Sequence, residues 1–191
     1  MVTIIYKCWK RIKCKLKILK FKLLFGSKVD LKWSDRIAGT VKFRINGNGK
    51  ISLGENVELR ENIILNVSDG GLIQIKDRVF INDGCCINSR NKIVIEEDSI
   101  LGQGIKMYDH DHDYRSDDIK KNFVTSPITI KNNVWIGSNV IVLKGVLIGS
   151  HSVIAAGTVL RCNVANNRLF YTKTEGYGEK VIEKGNKKQT D

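Results

Sequence analysis

The chain has 191 residues, 42% of them hydrophobic, enough for one cored domain and a short appendage and too many for a disordered chain. Its net charge is +12, but residues 1–25 hold eight Lys or Arg and no acid, so the remainder is nearly balanced at +4. That distribution excludes a nucleic-acid reader, whose basic residues spread over a recognition face within a known module.

The first predicted element is a helix over residues 1–26. Ile5, Trp9, Ile12, Leu16, Leu19 and Leu23 step by four, three, four, three and four, which places them on one helix face. Lysines fill the other positions. A basic amphipathic helix of this kind suits an anionic membrane surface; it equally suits packing on the rest of the chain or on another subunit. No stretch reaches the roughly 18 apolar residues of a membrane span, and lysines interrupt any secretory signal. The expected location is cytoplasmic, peripheral at the inner face of the membrane if the helix binds lipid. Five cysteines, an odd number without CxxC or zinc spacing, read as reduced thiols.

A period of six decides the fold over residues 27–165. Ile130, Ile136, Val142, Ile148, Ile154 and Leu160 are all aliphatic. Four residues after each stands Val134, Val140, Val146, Ser152, Thr158 or Val164, small or β-branched every time. Upstream the same frame gives the triples Leu53-Leu59-Leu65, Ile75-Ile81-Ile87 and Ile95-Leu101-Met107. Each triple makes one coil of a triangular prism. A large inward residue fills the axis, and Gly, Asn or another small residue turns the chain by about 120°. Stacked coils then pair as parallel strands. Antiparallel sandwiches and helical repeats do not produce five triples in register. The fold class is therefore a parallel β-helix of hexapeptide repeats, with the N-terminal helix and a protruding loop. Extra residues fall only between triples: four near Ser68–Gly71, two near Asn91, and seventeen after Met107. Residues 166–191 are expected to form a C-terminal cap and basic tail.

The long insertion, within residues 108–127, reads Asp109-His110-Asp111-His112-Asp113-Tyr114 and holds two of the three histidines. A loop of this length is usually functional. A histidine can remove a hydroxyl proton near neutral pH, and either Asp109 or Asp111 could fix its tautomer. The rival reading of His-x-His among carboxylates is a metal site; the reading adopted requires no metal. His151 falls at a repeat corner.

The segment SPITIKNNVWIGSNVIVLKGVLIGSHSVIAAGTVL, residues 126–160, resembles the hexapeptide-repeat acyltransferases, especially the sugar O-acetyltransferase branch that includes the maltose, galactoside, capsule and O-antigen acetyltransferases. PITIKNNVWIG follows a histidine-bearing loop in that branch, and the same order holds here. The likeness covers about residues 50–183. It implies a left-handed β-helix, acetyl-CoA as donor, a sugar or glycan hydroxyl as acceptor in surface polysaccharide or glycolipid synthesis, and a homotrimer whose active sites lie between subunits. It also implies His110 as the catalytic base, with His112 as the alternative. Asn82, Asp109 and His112 are expected on the acceptor side, although Asn82 could equally be a corner residue. Trp135, Ser138 and Ala156 are expected along the acetyl-CoA groove, and Arg161, Arg168 and Lys180 near its phosphates. The Gly-x-Pro-Ala turn usual before Lys-Val-Ile is replaced by residues 174–179. A small amine or hydroxyl acceptor (an amino sugar, serine or xenobiotic) and a non-catalytic scaffold are the competing functions; the histidine loop argues against the scaffold.

Overall fold

The computed structural model describes residues 2–172. Helix α1 (Val2–Phe25) leads into a stack of parallel coils, six of them complete among the described residues. The first coil comprises β1 (Val29–Asp30), β2 (Arg36–Ile37) and β3 (Lys42–Ile45). The second has β4 (Lys50–Leu53), β5 (Glu58–Leu59) and β6 (Ile64–Val67), and the third has β7 (Leu72–Ile75), β8 (Phe80–Ile81) and β9 (Cys86–Ser89). The fourth has β10 (Lys92–Ile95), β11 (Ile100–Leu101) and β12 (Lys106–Tyr108), after which the chain leaves the prism as the hairpin β13 (His110–His112) and β14 (Phe123–Thr125). It returns through β15 (Ile128–Ile130), β16 (Trp135–Ile136) and β17 (Ile141–Val142), then β18 (Leu147–Ile148), β19 (Val153–Ile154) and β20 (Val159–Leu160), and ends on β21 (Leu169–Phe170).

Each coil contributes one strand to each of three parallel sheets. Leu53, Ile75, Ile95, Ile130 and Ile148 form one in-register ladder on the first face. Ile37, Leu59, Ile81, Leu101, Ile136, Ile154 and Phe170 form the second. Phe43, Leu65, Ile87, Met107, Val142 and Leu160 form the third. Apart from Phe43 and Phe170, these side chains are essentially inaccessible. Each buried aliphatic contributes roughly 1.5–3 kcal/mol. The small positions of the period are also buried, including Val134, Val140, Ser152 and Thr158. Cys85 occupies one such position; its thiol donates to the Gly102 carbonyl, and burial pushes it up to about 11. Immediately before several of these small residues the backbone enters the left-handed region, at Asn133, Asn139, Gly145, His151 and Gly157. His151 (φ 59°) is thus an exposed corner residue.

The prism holds one coil ahead of the Leu53 triple, within residues 27–165, and one strand after residue 165. Leu31, Ile37 and Phe43 supply a first coil, and β21 pairs in parallel with β19 beyond residue 165. The hairpin and the shorter insertions near residues 68–71 and 90–91 all stack on one corner, between the third and first faces.

The helix covers the N-terminal end of the prism with a face other than the Ile5–Leu23 stripe. Ile18 and Phe21 are buried, with Cys14 beside them and Phe25 packed against the core. The Phe21 ring stacks on Phe43 at 4.1 Å between centroids, and Lys17 Nζ donates to the Gly39 carbonyl. Trp9, Ile12, Leu16, Leu19 and Leu23 are 43–77% exposed. Ile5 lies outside the described side chains. No helix among the described residues is long and apolar enough to cross a membrane.

Candidate active site

Strand alternation from Met107 carries the next inward position to Asp109, at the corner where the hairpin departs. Asp109 has no accessible surface. Four donors converge on its carboxylate. Oδ1 accepts from the Arg90 backbone N–H (2.8 Å) and pairs with His110 Nδ1 (2.9 Å). Oδ2 accepts from Ser89 Oγ (2.7 Å) and the Asn91 backbone N–H (2.9 Å). Burial pushes this carboxyl up, but the bonds from His110, the two N–H groups and Ser89 outweigh it, so its pKa lies below the usual carboxylate value. An ionised partner at Nδ1 places the ring proton there and leaves Nε2 its lone pair. Among the described residues Nε2 has no hydrogen-bond partner.

The imidazole of His110 is 17% exposed and fixed from two further sides. It meets the Tyr108 ring edge-on at 6.4 Å and the Phe123 ring at 5.7 Å. Phe123 is held on one face by the Arg90 guanidinium, 3.4 Å from its centroid. Asn91 Nδ2 donates to Thr125 Oγ1, tying the hairpin to the corner below. A packed, single-orientation histidine with a free nitrogen is suited to proton transfer.

The other polar residues of the loop are engaged differently. His112 is exposed; its Nδ1 bonds the Ile119 carbonyl at 2.6 Å, and its ring packs on Phe123 at 4.4 Å. It braces the hairpin. Asp111 pairs with Lys144, not with a histidine. Asp109, expected among the acceptor contacts, is instead sealed beneath His110 and can act only through it. No three His, Cys, Asp or Glu side chains among the described residues are grouped as metal ligands.

Asn82, Ser138 and Ala156 gather elsewhere, at the corner between the second and third faces, with Trp135 beside them on the second face. Asn82, Gly102, Gly137 and Ala155 stack there coil on coil, linked by backbone bonds to the inward residue of the next coil. Asn82 Oδ1 accepts from the Asp83 N–H, as in a corner turn. Ser138 Oγ accepts from the Gln103 N–H. A Cβ at Gly102 would lie 2.7 Å from Ser138 N, and one at Gly137 would lie 2.6 Å from Ala156 N. The result is a flat shelf of backbone, Ser138 and Ala156, with Trp135 56% exposed on the adjoining second face. Such a shelf fits a narrow, extended amide chain lying against main-chain groups. Arg161 and Arg168 are exposed near the C-terminal coils. Lys180 and the 174–179 turn lie outside the described residues.

The structure therefore forms two clusters. The histidine pair sits on one edge of the third face and the shelf on the other, six or so residues apart along the strand, or roughly 15–20 Å. Sequence reasoning left open which acid serves His110, although alternation from Met107 points inward to Asp109. It missed Ser89, Arg90 and Phe123, none of which carries a motif signal.

The repeat fold is shared with known proteins. Residues 127–162 match the family described as bacterial transferase hexapeptide (six repeats). WbbJ of Escherichia coli (strain K12), provisionally named a lipopolysaccharide biosynthesis O-acetyl transferase, is 30% identical over 152 residues, covering 74% of this chain and 76% of that protein. The solved hexapeptide-repeat acetyltransferase VCA0836 of Vibrio cholerae O1 biovar eltor, complexed with acetyl coenzyme A, is 28% identical with a TM-score of 0.57, over 64% of this chain and 66% of that one. A galactoside acetyltransferase in complex with coenzyme A is 27% identical with a TM-score of 0.58, over 68% and 61% of the two chains.

Proposed function

The chain belongs to the hexapeptide-repeat acyltransferases, and from that membership we propose that it moves an acetyl group from acetyl-CoA to a sugar hydroxyl in surface-glycan synthesis, with His110 as general base. The carrying observation is the buried Asp109–His110 pair, which leaves Nε2 a free acceptor. Nε2 takes the hydroxyl proton as the oxygen bonds to the thioester carbonyl carbon. The carbon–sulfur bond then breaks, and the imidazolium returns its proton to the departing sulfur. Asp109 stabilises the imidazolium between these transfers. The shelf at Gly137, Ser138 and Ala156 would hold the pantetheine chain, and Arg161, Arg168 and Lys180 its phosphates. An acetylated acceptor related to lipopolysaccharide is favoured by the name of WbbJ. Acetyl-CoA as donor is favoured by the ligands of the two solved relatives.

The separation of histidine and shelf within one chain supports a homotrimer. A rotational assembly brings one edge of the third face of one subunit against a different edge of the next. Each site would then combine His110 of one copy with the shelf of another.

The test is free-thiol release from acetyl-CoA with a panel of sugars and extracted lipid-linked glycans. Acceptor-dependent release that falls about a hundredfold or more in His110→Ala supports the reading. Failure of the wild-type protein to bind CoA, or activity in His110→Ala within a few fold of wild type, refutes it. Sedimentation equilibrium reads the oligomer; a monomer with full activity would exclude a shared site.

A further inference from the structure

Helix α1 has two apolar faces, and the prism uses only one. Cys14, Ile18, Phe21 and Phe25 point inward. At 100° per residue, Trp9, Ile12, Leu16, Leu19 and Leu23 centre on the opposite side, about 180° away. They are 56%, 50%, 59%, 43% and 77% exposed. The end of a repeat stack ordinarily presents a polar outer surface to water; here the outer surface is a continuous apolar stripe.

Cations border that stripe on both sides. Lys15 and Lys22 lie along one margin, and Lys13 and Lys20 along the other. Lys13 sits over the Trp9 ring at 5.4 Å, and Lys15 and Lys22 sit over the half-exposed Trp33 ring at 5.9 and 5.2 Å. Residues 1–25 contain no Asp or Glu. An apolar stripe with aromatic anchors and flanking cations matches the layering of a lipid surface, with acyl chains below and headgroups at the margins.

We propose that the outward face of α1 docks the N-terminal end of the prism onto an anionic lipid surface. Charge decides between lipid and a second copy of the helix. Pairing two such faces would set acid-free, eightfold-basic segments against each other, which like-charge repulsion opposes. Anionic headgroups satisfy the stripe and its margins together. In any assembly with parallel prism axes, all copies of α1 lie at the same end, so their contacts with one flat surface would reinforce each other.

The experiment is flotation of the full chain with vesicles of phosphatidylcholine alone, or with about one lipid in three replaced by phosphatidylglycerol. Wild type should bind the anionic vesicles and lose at least about tenfold in affinity on neutral vesicles or in high salt. Leu16→Gln/Leu19→Gln and Lys13→Glu/Lys20→Glu change only exposed side chains, so their melting temperatures should match wild type while each weakens binding by about tenfold or more. His110→Ala should bind as wild type does, which separates docking from the acyl chemistry. Absence of wild-type binding to anionic vesicles overturns the proposal, as does equal binding by Leu16→Gln/Leu19→Gln. An oligomer that dissociates in Leu16→Gln/Leu19→Gln, without vesicle binding by wild type, assigns the face to a second copy and also overturns it.

Discussion

Asp109→Asn replaces an acceptor oxygen with a donor at a point where four donors already converge. The amide can be seated in two ways. With its oxygen toward Arg90 N–H and His110, its NH2 opposes the Asn91 N–H; Ser89 can then turn its proton to the Leu72 carbonyl, 3.1 Å away. With its oxygen toward Asn91 and Ser89, its NH2 opposes the Arg90 N–H and donates to His110 Nδ1. That moves the ring proton to Nε2 and removes the base. Either seating leaves one buried backbone N–H without an acceptor, a loss of about 1–3 kcal/mol. For a chain of this size that lowers Tm by roughly 2–10 °C. Both seatings also remove the anion that stabilises the imidazolium, so kcat should fall by about 10²–10⁴, the range of general-base catalysis. The KM for acetyl-CoA should hold, because Asp109 is buried beneath His110 and has no surface to offer the donor. Thermal melts by circular dichroism and steady-state thiol release measure these quantities. Asp111→Asn is the control: its carboxylate meets Lys144, so turnover should stay within about threefold. Because Asp109 acts through His110, the double variant should be no slower than His110→Ala alone. Multiplicative losses in the double variant, or a kcat for Asp109→Asn within threefold of wild type, would refute the positioning role.

Two further predictions concern stability. In Gly137→Ala the new Cβ would stand 2.6 Å from Ala156 N and 3.0 Å from the Ile154 carbonyl, both backbone, so two coils must part. The cost should be about 1–3 kcal/mol, read as a lower Tm, with a raised KM for acetyl-CoA if the shelf holds the donor. The second concerns pH. The folded pKa of Asp109 is depressed, so its contribution is complete above the ordinary carboxylate pKa of about 4 and is lost as pH falls through the folded value. Denaturant titrations of wild type and Asp109→Asn should therefore differ most near neutrality and converge in acid below about pH 4; a gap that widens in acid would show the sign to be wrong.

The ladders were legible in the sequence because a period of six with one obligatory large inward residue leaves little freedom. Leu53, Leu59 and Leu65 onward fall in register as the spacing requires. The first coil carries the same spacing at Leu31, Ile37 and Phe43. Its signal is weaker because the triple ends on an aromatic and is bounded by the helix that stacks on it through Phe21. The helix shows where periodicity stops being informative. Ile5 to Leu23 form the longer and more regular stripe, yet Cys14, Ile18, Phe21 and Phe25, also spaced four, three and four, take the core. Periodicity finds apolar faces but does not say which surface each one meets. The site was half legible for the same reason. Histidines in a long insertion stand out, whereas Ser89, Arg90 and Asn91, which hold Asp109, belong to a corner eighteen to twenty residues earlier in the chain.

The origin of the Asp109–His110 pair lies in how this prism satisfies its corners. A turn between parallel strands leaves backbone N–H groups without a strand partner. Here side chains from adjacent coils accept them: Asp35 from Val57, Asp77 from Glu55, Asp83 from Glu61, Asp69 from Asn48, and Ser138 from Gln103. Asp109 is one more such clamp, taking the Arg90 and Asn91 N–H groups of the coil below. It differs in being followed by the hairpin, which turns His110 back so that Nδ1 reaches a remaining lone pair of the same carboxylate. The group that orients His110, the proposed base, is thus a structural clamp of the fold. Its position is fixed by the corner rather than by the outer part of the hairpin, which gives His110 its single orientation. The same economy predicts that an Asp109 variant loses activity and stability together. A variant that spares one and damages the other should be sought at His110, where the ring contacts aromatic edges and the carboxylate keeps its three other donors.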